Sequence, residues 1–589
     1  MLCDAFRNSR FLLMFSALLL LSAAVGAQSD GPTKPQAKSS VDGKPAAESG
    51  LAACALLDDP KARPIMDGLL PYLLKRCGRA HELGGVNDNS ESSLGDSGAT
   101  AGAKTSGGAA TDGAALVGTD VPISDPSGDS PPNETQNETS MAVSGTTGTI
   151  CAAHNDSYHG ITTSEGFSGF ARSTDGGATF VDQGAIGPNN SGDPALVWRK
   201  VDGKFYYAAL SGGGLAVWRS DDDCQSFTSV GSIVNTGADD KELMAVDNNM
   251  GGTYYGRLYV VWTNFSAGGI FSTYSDDAGA TWSTPIRIGT DTGSVQGAWP
   301  VVAPNGDVYA AWVRFGSGTV TMVVARSTDG ADSWNLVTNP ATNETSPENA
   351  GSTAACGRAA LNGNIRYLPS PQIAVGPNGD LHIVYSYDPD GSGPDESDVF
   401  YRRSTDQGAT WLPEIRVNDD ATTADQFYPT LSVGESNIVS VAFYDRRNDP
   451  VDNLLFEYFQ VTSPDGGATW LPNVRVSDVQ SPVVAANNLA TCYHGDYDTH
   501  IQIAGAAILQ WADDRNGNAD TFSDIVALGT DFLVIPGQAS LDVCAPQPVT
   551  VDLDVLQFNA FAESVTLASN AWPAGLTAGF SQNPVTPAQ

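Results

Sequence analysis

Cations are scarce in this chain. Its 589 residues hold 30 Lys and Arg against 67 Asp and Glu, a formal net charge of −37. Nucleic-acid binding needs clustered cations to meet phosphate, so that class of partner is excluded, and anionic membrane surfaces are disfavoured on the same ground. Long apolar runs are also missing: after the N-terminal segment no stretch reaches the roughly 18 residues needed to span a bilayer, so the mature chain is expected to carry no integral membrane segment. Cysteine is sparse, at 8 residues, and shows no CxxC spacing, which argues against a zinc site; no metal or cofactor is expected. Glycine is abundant, at 63 residues, which points to many tight turns and not to long helices.

The first residues form an address. Arg7 and Arg10 precede an apolar run from Phe11 to Leu21, and small residues follow from Ala23 to Ala27. This three-part pattern predicts a secretory signal over residues 1–27, cleaved near Ala27 and Gln28, and a secreted or periplasmic mature protein. In an oxidising compartment the remaining seven cysteines are expected to form disulfides with one left over, and Cys54 with Cys77 is the best local pair. That pair brackets an amphipathic stretch, Leu56 to Leu74, within a short helical segment expected at 51–82. The flanking residues 28–50 and 83–114 are rich in Ser, Gly, Ala, Asp and Thr and cannot offset their ordering entropy, so 28–114 reads as a low-complexity region.

From about residue 115 to 530, short Val, Ile, Tyr, Phe and Trp runs alternate with Gly, Asn and Asp turns, the pattern of antiparallel strands in an all-β domain. A segment of the form Ser-x-Asp-x-Gly-x-Thr-aromatic recurs at Ser173–Phe180, Ser275–Trp282, Ser404–Trp411 and Ser463–Trp470. Two weaker copies, Ser220–Phe227 and Ser327–Trp334, carry Cys224 and Ala331 in place of the Gly. Successive copies start 47, 55, 52, 77 and 59 residues apart, room for four short strands each. An Asp can accept hydrogen bonds from its own turn, Gly can take positive φ and the aromatic can pack beneath, so these residues fix a hairpin and are read as structural.

The repeat resembles the Asp-box, or bacterial neuraminidase repeat, of exported sialidase-like β-propellers. The resemblance covers residues 115–530 and implies a propeller with the boxes at the blade periphery. Six boxes plus a boxless unit at His500–Ile503, Ala507–Trp511 and Asp524–Leu528 make seven blades, with six as the alternative because sialidases are six-bladed. The segment Leu116–Ser124 resembles the strands that follow the boxes and is expected to supply the missing fourth strand of the last unit, closing the ring. Residues 531–589 resemble the start of an immunoglobulin-like sandwich without its final strands.

A propeller builds its site at the mouth of the central channel, from loops entering first strands and leaving second strands. Three clusters fall there: Asp240-Lys241-Glu242, Asp445-Arg446-Arg447 and Asp513-Asp514-Arg515. Arginine forks suit carboxylates, while paired carboxylates and a Tyr suit glycosidic-bond chemistry. True sialidases hold the substrate carboxylate with three arginines, the first in an aromatic-Arg-Ile-Pro motif that is absent here. The resemblance therefore implies a rebuilt set: Glu242, Asp496 and Tyr497 as catalytic groups, with Arg314, Arg446, Arg515, Trp299 and Tyr428 binding substrate. On this reading the protein acts on a glycan or glycoconjugate as an exo-glycosidase. The alternative is a non-catalytic glycan- or protein-binding propeller in which Trp299, Phe427 and Tyr428 stack on sugars and the Asp-Arg-Asn runs are interblade ion pairs. The turn carrying Asp388, Asp390 and Asp395 is read as a solvated acidic turn, with calcium binding as a lesser possibility.

Overall fold

Each of the six Ser-x-Asp segments folds into the same hairpin turn. In Ser404–Trp411 the Ser404 hydroxyl accepts the Gly408 N–H at 2.9 Å and donates to Asp406 Oδ1 at 2.8 Å. Asp406 in turn accepts the Thr410 N–H and hydroxyl at 2.9 and 2.6 Å. The five other segments repeat this four-bond network. Two consecutive residues in every copy lie in the left-handed region, Gln407 (φ 62°) and Gly408 (φ 86°) among them, which explains the glycines.

In this computed structural model these turns join the third and fourth strands of successive sheets. The structure describes most of residues 117–528, together with the strands Phe532–Pro536 and Leu553–Gln557, Ser564 and residues 579–585. One compact unit, Ala114–Gly529, is a seven-bladed β-propeller. Blades 1 to 7 span residues 136–185, 195–234, 239–288, 295–336, 372–416, 426–475 and 500–527, and within each the antiparallel order follows the chain. The seventh has only three strands of its own. Its outer place is taken by β1 (Val121–Pro122), which pairs with Asp520–Ala527 through Val121↔Ser523 and Pro122↔Phe522, while Val117 bridges Val526. Ring closure therefore falls on the segment that the strand pattern nominated.

Alternation along each strand sends large side chains between neighbouring sheets. Tyr206, Leu215 and Val217 of blade 2 pack on Leu258, Val260 and Trp262 of blade 3, and Tyr458 of blade 6 stacks on Trp511 of blade 7 at 5.1 Å. Among the described residues, two disulfides add cross-links. Cys151, on the second strand of blade 1, bonds to Cys224, the residue that replaces Gly in the blade 2 turn. Cys224 keeps the left-handed conformation (φ 62°), a cost of about 1–2 kcal/mol that a cross-link worth about 2–4 kcal/mol outweighs. The second, Cys356–Cys492, joins a short helix, α1 (Ala350–Cys356), to the segment that enters blade 7.

The second unit comprises Met1–Gly113 and Thr530–Gln589. Among its described residues, Phe532–Pro536 and Leu553–Gln557 form an antiparallel pair. The signal segment 1–27, the helical segment 51–82, the rest of 28–114, Cys54, Cys77 and Cys544 lie outside the described residues. No helix among the described residues is long and apolar enough to cross a membrane.

Candidate functional site

A register slip opens the inner strands of four blades. The ladder skips between Asn137 and Ser140, between Asp240 and Leu243, between Gln296 and Trp299, and between Phe427 and Thr430. In each bulge the residue after the first break has positive φ: Glu138 (51°), Lys241 (53°), Gly297 (67°) and Tyr428 (47°). Asp193, just ahead of the blade 2 inner strand, has φ 59° as well. Bulges re-aim side chains, and these bring together groups from separate blades.

Lys241 is the hub. Its ammonium lies 2.5 Å from Glu138, 2.9 Å from Asp496 and 3.7 Å from Asp193, and 5.2 Å from the centre of the Tyr497 ring. Arg366 shares the same Asp496 oxygen, Nη2 at 2.9 Å from Oδ2, and its guanidinium covers Tyr493 at 4.1 Å. Asn155 donates to Glu138 at 3.0 Å and to the Tyr493 hydroxyl at 2.8 Å, and its carbonyl accepts the Asp193 N–H. Arg366 comes from an insertion between blades 4 and 5, the hairpin Ala360–Leu361 and Ile365–Arg366 that follows α1. The Arg366 N–H bonds the Cys492 carbonyl and the Tyr428 hydroxyl bonds the Arg366 carbonyl, so the Cys356–Cys492 disulfide ties this hairpin to the segment bearing Tyr493, Asp496 and Tyr497.

Burial separates the protonation states of these acids. Burial pushes Glu138 well above the ordinary carboxyl range against the pull of Lys241, with the nearby Asp193 and Asp496 adding to the rise, and burial raises Asp193 also. Burial raises Asp496 too, but Lys241 and Arg366 outweigh it and hold this carboxyl below its usual range. Glu242 is fully buried with neither carboxyl oxygen hydrogen-bonded, and burial followed by the nearby Asp193 pushes it well above the ordinary carboxyl range. A cleft of about 130 Å³ opens beside this cluster, lined by Asn155, Asp156, Phe167, Asp193, Arg366 and Tyr493 among others. Asp156 is kept ionised despite its burial by His159, whose Nδ1 sits 2.5 Å from Oδ2. That bond also raises the His159 ring above its ordinary value.

Of the residues nominated from sequence, Glu242, Asp496, Tyr497, Trp299 and Tyr428 gather at this end of the channel. Trp299 meets the Tyr497 ring edge-on at 6.3 Å, and the Tyr497 hydroxyl donates to the Pro194 carbonyl at 3.2 Å. The arginines have other neighbours. Arg446 is fully buried, bonding Asp425 at 3.0 Å and the Asn362 carbonyl at 2.8 Å. Arg515 bridges Asp513 and Asp120, clamping the segment that closes the ring. Arg314 is half-buried opposite Val295 in blade 4. The Asp388 carboxylate accepts the N–H groups of its own turn from Asp390 and Gly391, and no group of three or more potential metal ligands occurs among the described residues. Arg366 and Tyr493 were not among the residues nominated from sequence; the 77-residue gap between the fourth and fifth turns, at Ser327 and Ser404, marks the insertion that carries Arg366, and no repeat signal points to Tyr493.

No family model matches the chain. A stretch of 125 residues, 18% of this chain, is 30% identical to a sialidase of Micromonospora viridifaciens, of whose length it spans 19%. Among solved structures, a Hadza microbial sialidase aligns with a TM-score of 0.36 at 15% identity, covering 56% of this chain and 65% of that one. An ulvan lyase aligns with a TM-score of 0.41 at 11% identity, covering 67% and 94% of the two chains.

Proposed function

We propose that the protein is an exported, Asp-box-type propeller that hydrolyses a glycosidic bond at the channel mouth. The observation that carries this reading is the meeting of Glu138, Asp193 and Asp496 around Lys241, beside a cleft of monosaccharide scale. Two carboxyl environments pushed apart in proton affinity are what acid–base chemistry on a glycoside needs. Glu138 and Asp193 are the neighbouring carboxyls whose proton affinity burial raises, and Asp193 lines the cleft, so in this assignment the pair protonates the leaving oxygen. Asp156, ionised and lining the same cleft, takes the proton from the attacking water. Lys241 and Asp496 fix the pair electrostatically, Tyr497 and Trp299 form the adjoining wall, and Glu242 lies buried behind it. Arg446 and Arg515 act as struts in this assignment. The disulfides Cys151–Cys224 and Cys356–Cys492 support an oxidising, extracytoplasmic destination.

Turnover of a panel of aryl glycosides tests it. Asp193→Asn and Asp156→Asn should each cut kcat by about 10²–10⁴ with the protein still folded, the scale of a lost acid or base. The second reading, a binding propeller without chemistry, is favoured by Phe167 and Tyr493 lining the cleft, since rings suit sugar faces. Glycan binding with no turnover of any glycoside would select it.

A further inference from the structure

We propose that this cleft takes a neutral sugar residue and discriminates against sugar acids. The inference rests on the glycan-acting reading above and names the class of ring that fits. A site for a carboxylated ring needs a cationic fork with open donors. The residues lining the cleft bring one cation, Arg366, against two carboxyl groups, Asp156 and Asp193. Arg366 is shared before any ligand arrives: Nη2 is on Asp496 and the guanidinium lies on Tyr493, while Nε is buried without a hydrogen-bond partner. Lys241 is enclosed by Glu138, Asp193 and Asp496 and does not line the cleft. Arg446 is sealed against Asp425 and Arg515 against Asp513 and Asp120, so neither has a fork to lend. A carboxylate on the ring would meet Asp156 and Asp193 with only Arg366, already shared with Asp496, to receive it, and the net −37 of the chain opposes its approach. Sugar hydroxyls, in contrast, are donors for Asp156, Asp193 and the Asn155 carbonyl.

The test uses matched pairs on the full-length protein: methyl β-D-galactopyranoside against the corresponding galacturonide, and methyl β-D-glucopyranoside against the glucuronide, each differing only at C6. A sialic acid methyl glycoside is a fifth probe. Binding is read by calorimetry and ligand-observed NMR at pH 7 in low salt. The expected result is at least about tenfold weaker binding of each acid than of its neutral partner, with the ratio shrinking as salt is added. Asp193→Asn should narrow the ratio further, whatever its effect on turnover. Equal or tighter binding of the uronides or the sialoside overturns this inference and leaves the glycan-acting reading standing. Absence of binding by all five probes overturns both.

Discussion

The Lys241 ammonium lies 2.5 Å from the Glu138 carboxylate although a whole blade separates the two in the ring. Asp193 of that intervening blade completes the contact, at 3.7 Å from Lys241. Three blades are thus joined electrostatically at the axis, in addition to their apolar faces.

Lys241→Met would leave Glu138, Asp193 and Asp496 without their shared cation. Uncompensated buried charge costs about 3–5 kcal/mol, so the variant should melt well below the parent at pH 7. The sign of the pH dependence follows from Asp496. Its folded-state affinity for protons is depressed in the parent, so it contributes stability above the unfolded carboxyl range that is lost only in strong acid. In the variant Arg366 alone remains paired with Asp496 and that contribution is reduced, and the deficit should shrink as the pH falls toward 4 and the carboxyls protonate. A constant deficit in thermal melts from pH 4 to 8 would contradict the charge argument.

Deletion of residues 116–124 removes β1 and exposes the edge of Asp520–Ala527. The truncated protein should melt earlier and associate, because an unpaired strand edge is a template for another chain. Melting by differential scanning fluorimetry and size by light scattering check this; an unchanged Tm would mean that β1 contributes nothing to closure.

Asp524, on the strand that β1 closes, is pushed up to about 8 by burial and by the nearby acids Asp120 and Asp478. A carboxyl raised in the folded state stabilises fully below its unfolded value, near 4, and loses that contribution as the pH rises through 8. Asp524→Asn should therefore raise Tm at pH 9 more than at pH 5, a differential on the order of 1–3 kcal/mol. Paired melts at the two pH values decide it.

Ser404→Ala removes the acceptor of a buried Gly408 N–H. The cost should be about 1–3 kcal/mol by chemical denaturation, with any glycan affinity intact, since the turn lies between the third and fourth strands and away from the channel. Lost affinity at full stability would move the turn into the site.

Arg446→Ala and Arg366→Ala should behave oppositely. The first strands Asp425 as a buried charge and should lower stability by about 3–5 kcal/mol, with binding following the folded fraction. The second opens the cleft wall and should weaken glycan binding or turnover more than it lowers Tm. Urea titrations beside ligand titrations separate the two; matching losses in both assays would erase the distinction.

The sequence disclosed the ring and the turns because their chemistry is local. A Ser, an Asp and two left-handed positions within eight residues determine a hairpin wherever they occur, and Leu116–Ser124 read as a strand without a partner. Long-range pairing was not legible. Nothing near Arg446 announces that Asp425 waits opposite it, so the guanidinium looked available for a ligand. Arg366 and Tyr493 carry no periodic signal, because each is delivered by a loop whose path is set by Cys356–Cys492. Lys241 stood inside the Asp240-Lys241-Glu242 cluster, but which of the three faces the axis depends on a bulge that leaves no mark in composition.

The recurring bulge has a consequence for how such a pocket can diversify. Glu138, Lys241, Gly297 and Tyr428 occupy one equivalent position per blade, off the hydrogen-bond ladder, so an acid, a base, an aromatic ring or nothing at all can stand there while the sheet around it is unchanged. At Gly297 the position is filled from outside, since a Cβ there would fall 1.8 Å from Ser370 Oγ. The chemistry of the mouth is thus a short word with one letter in each of these four blades, and it can be rewritten letter by letter without disturbing the ring that carries it.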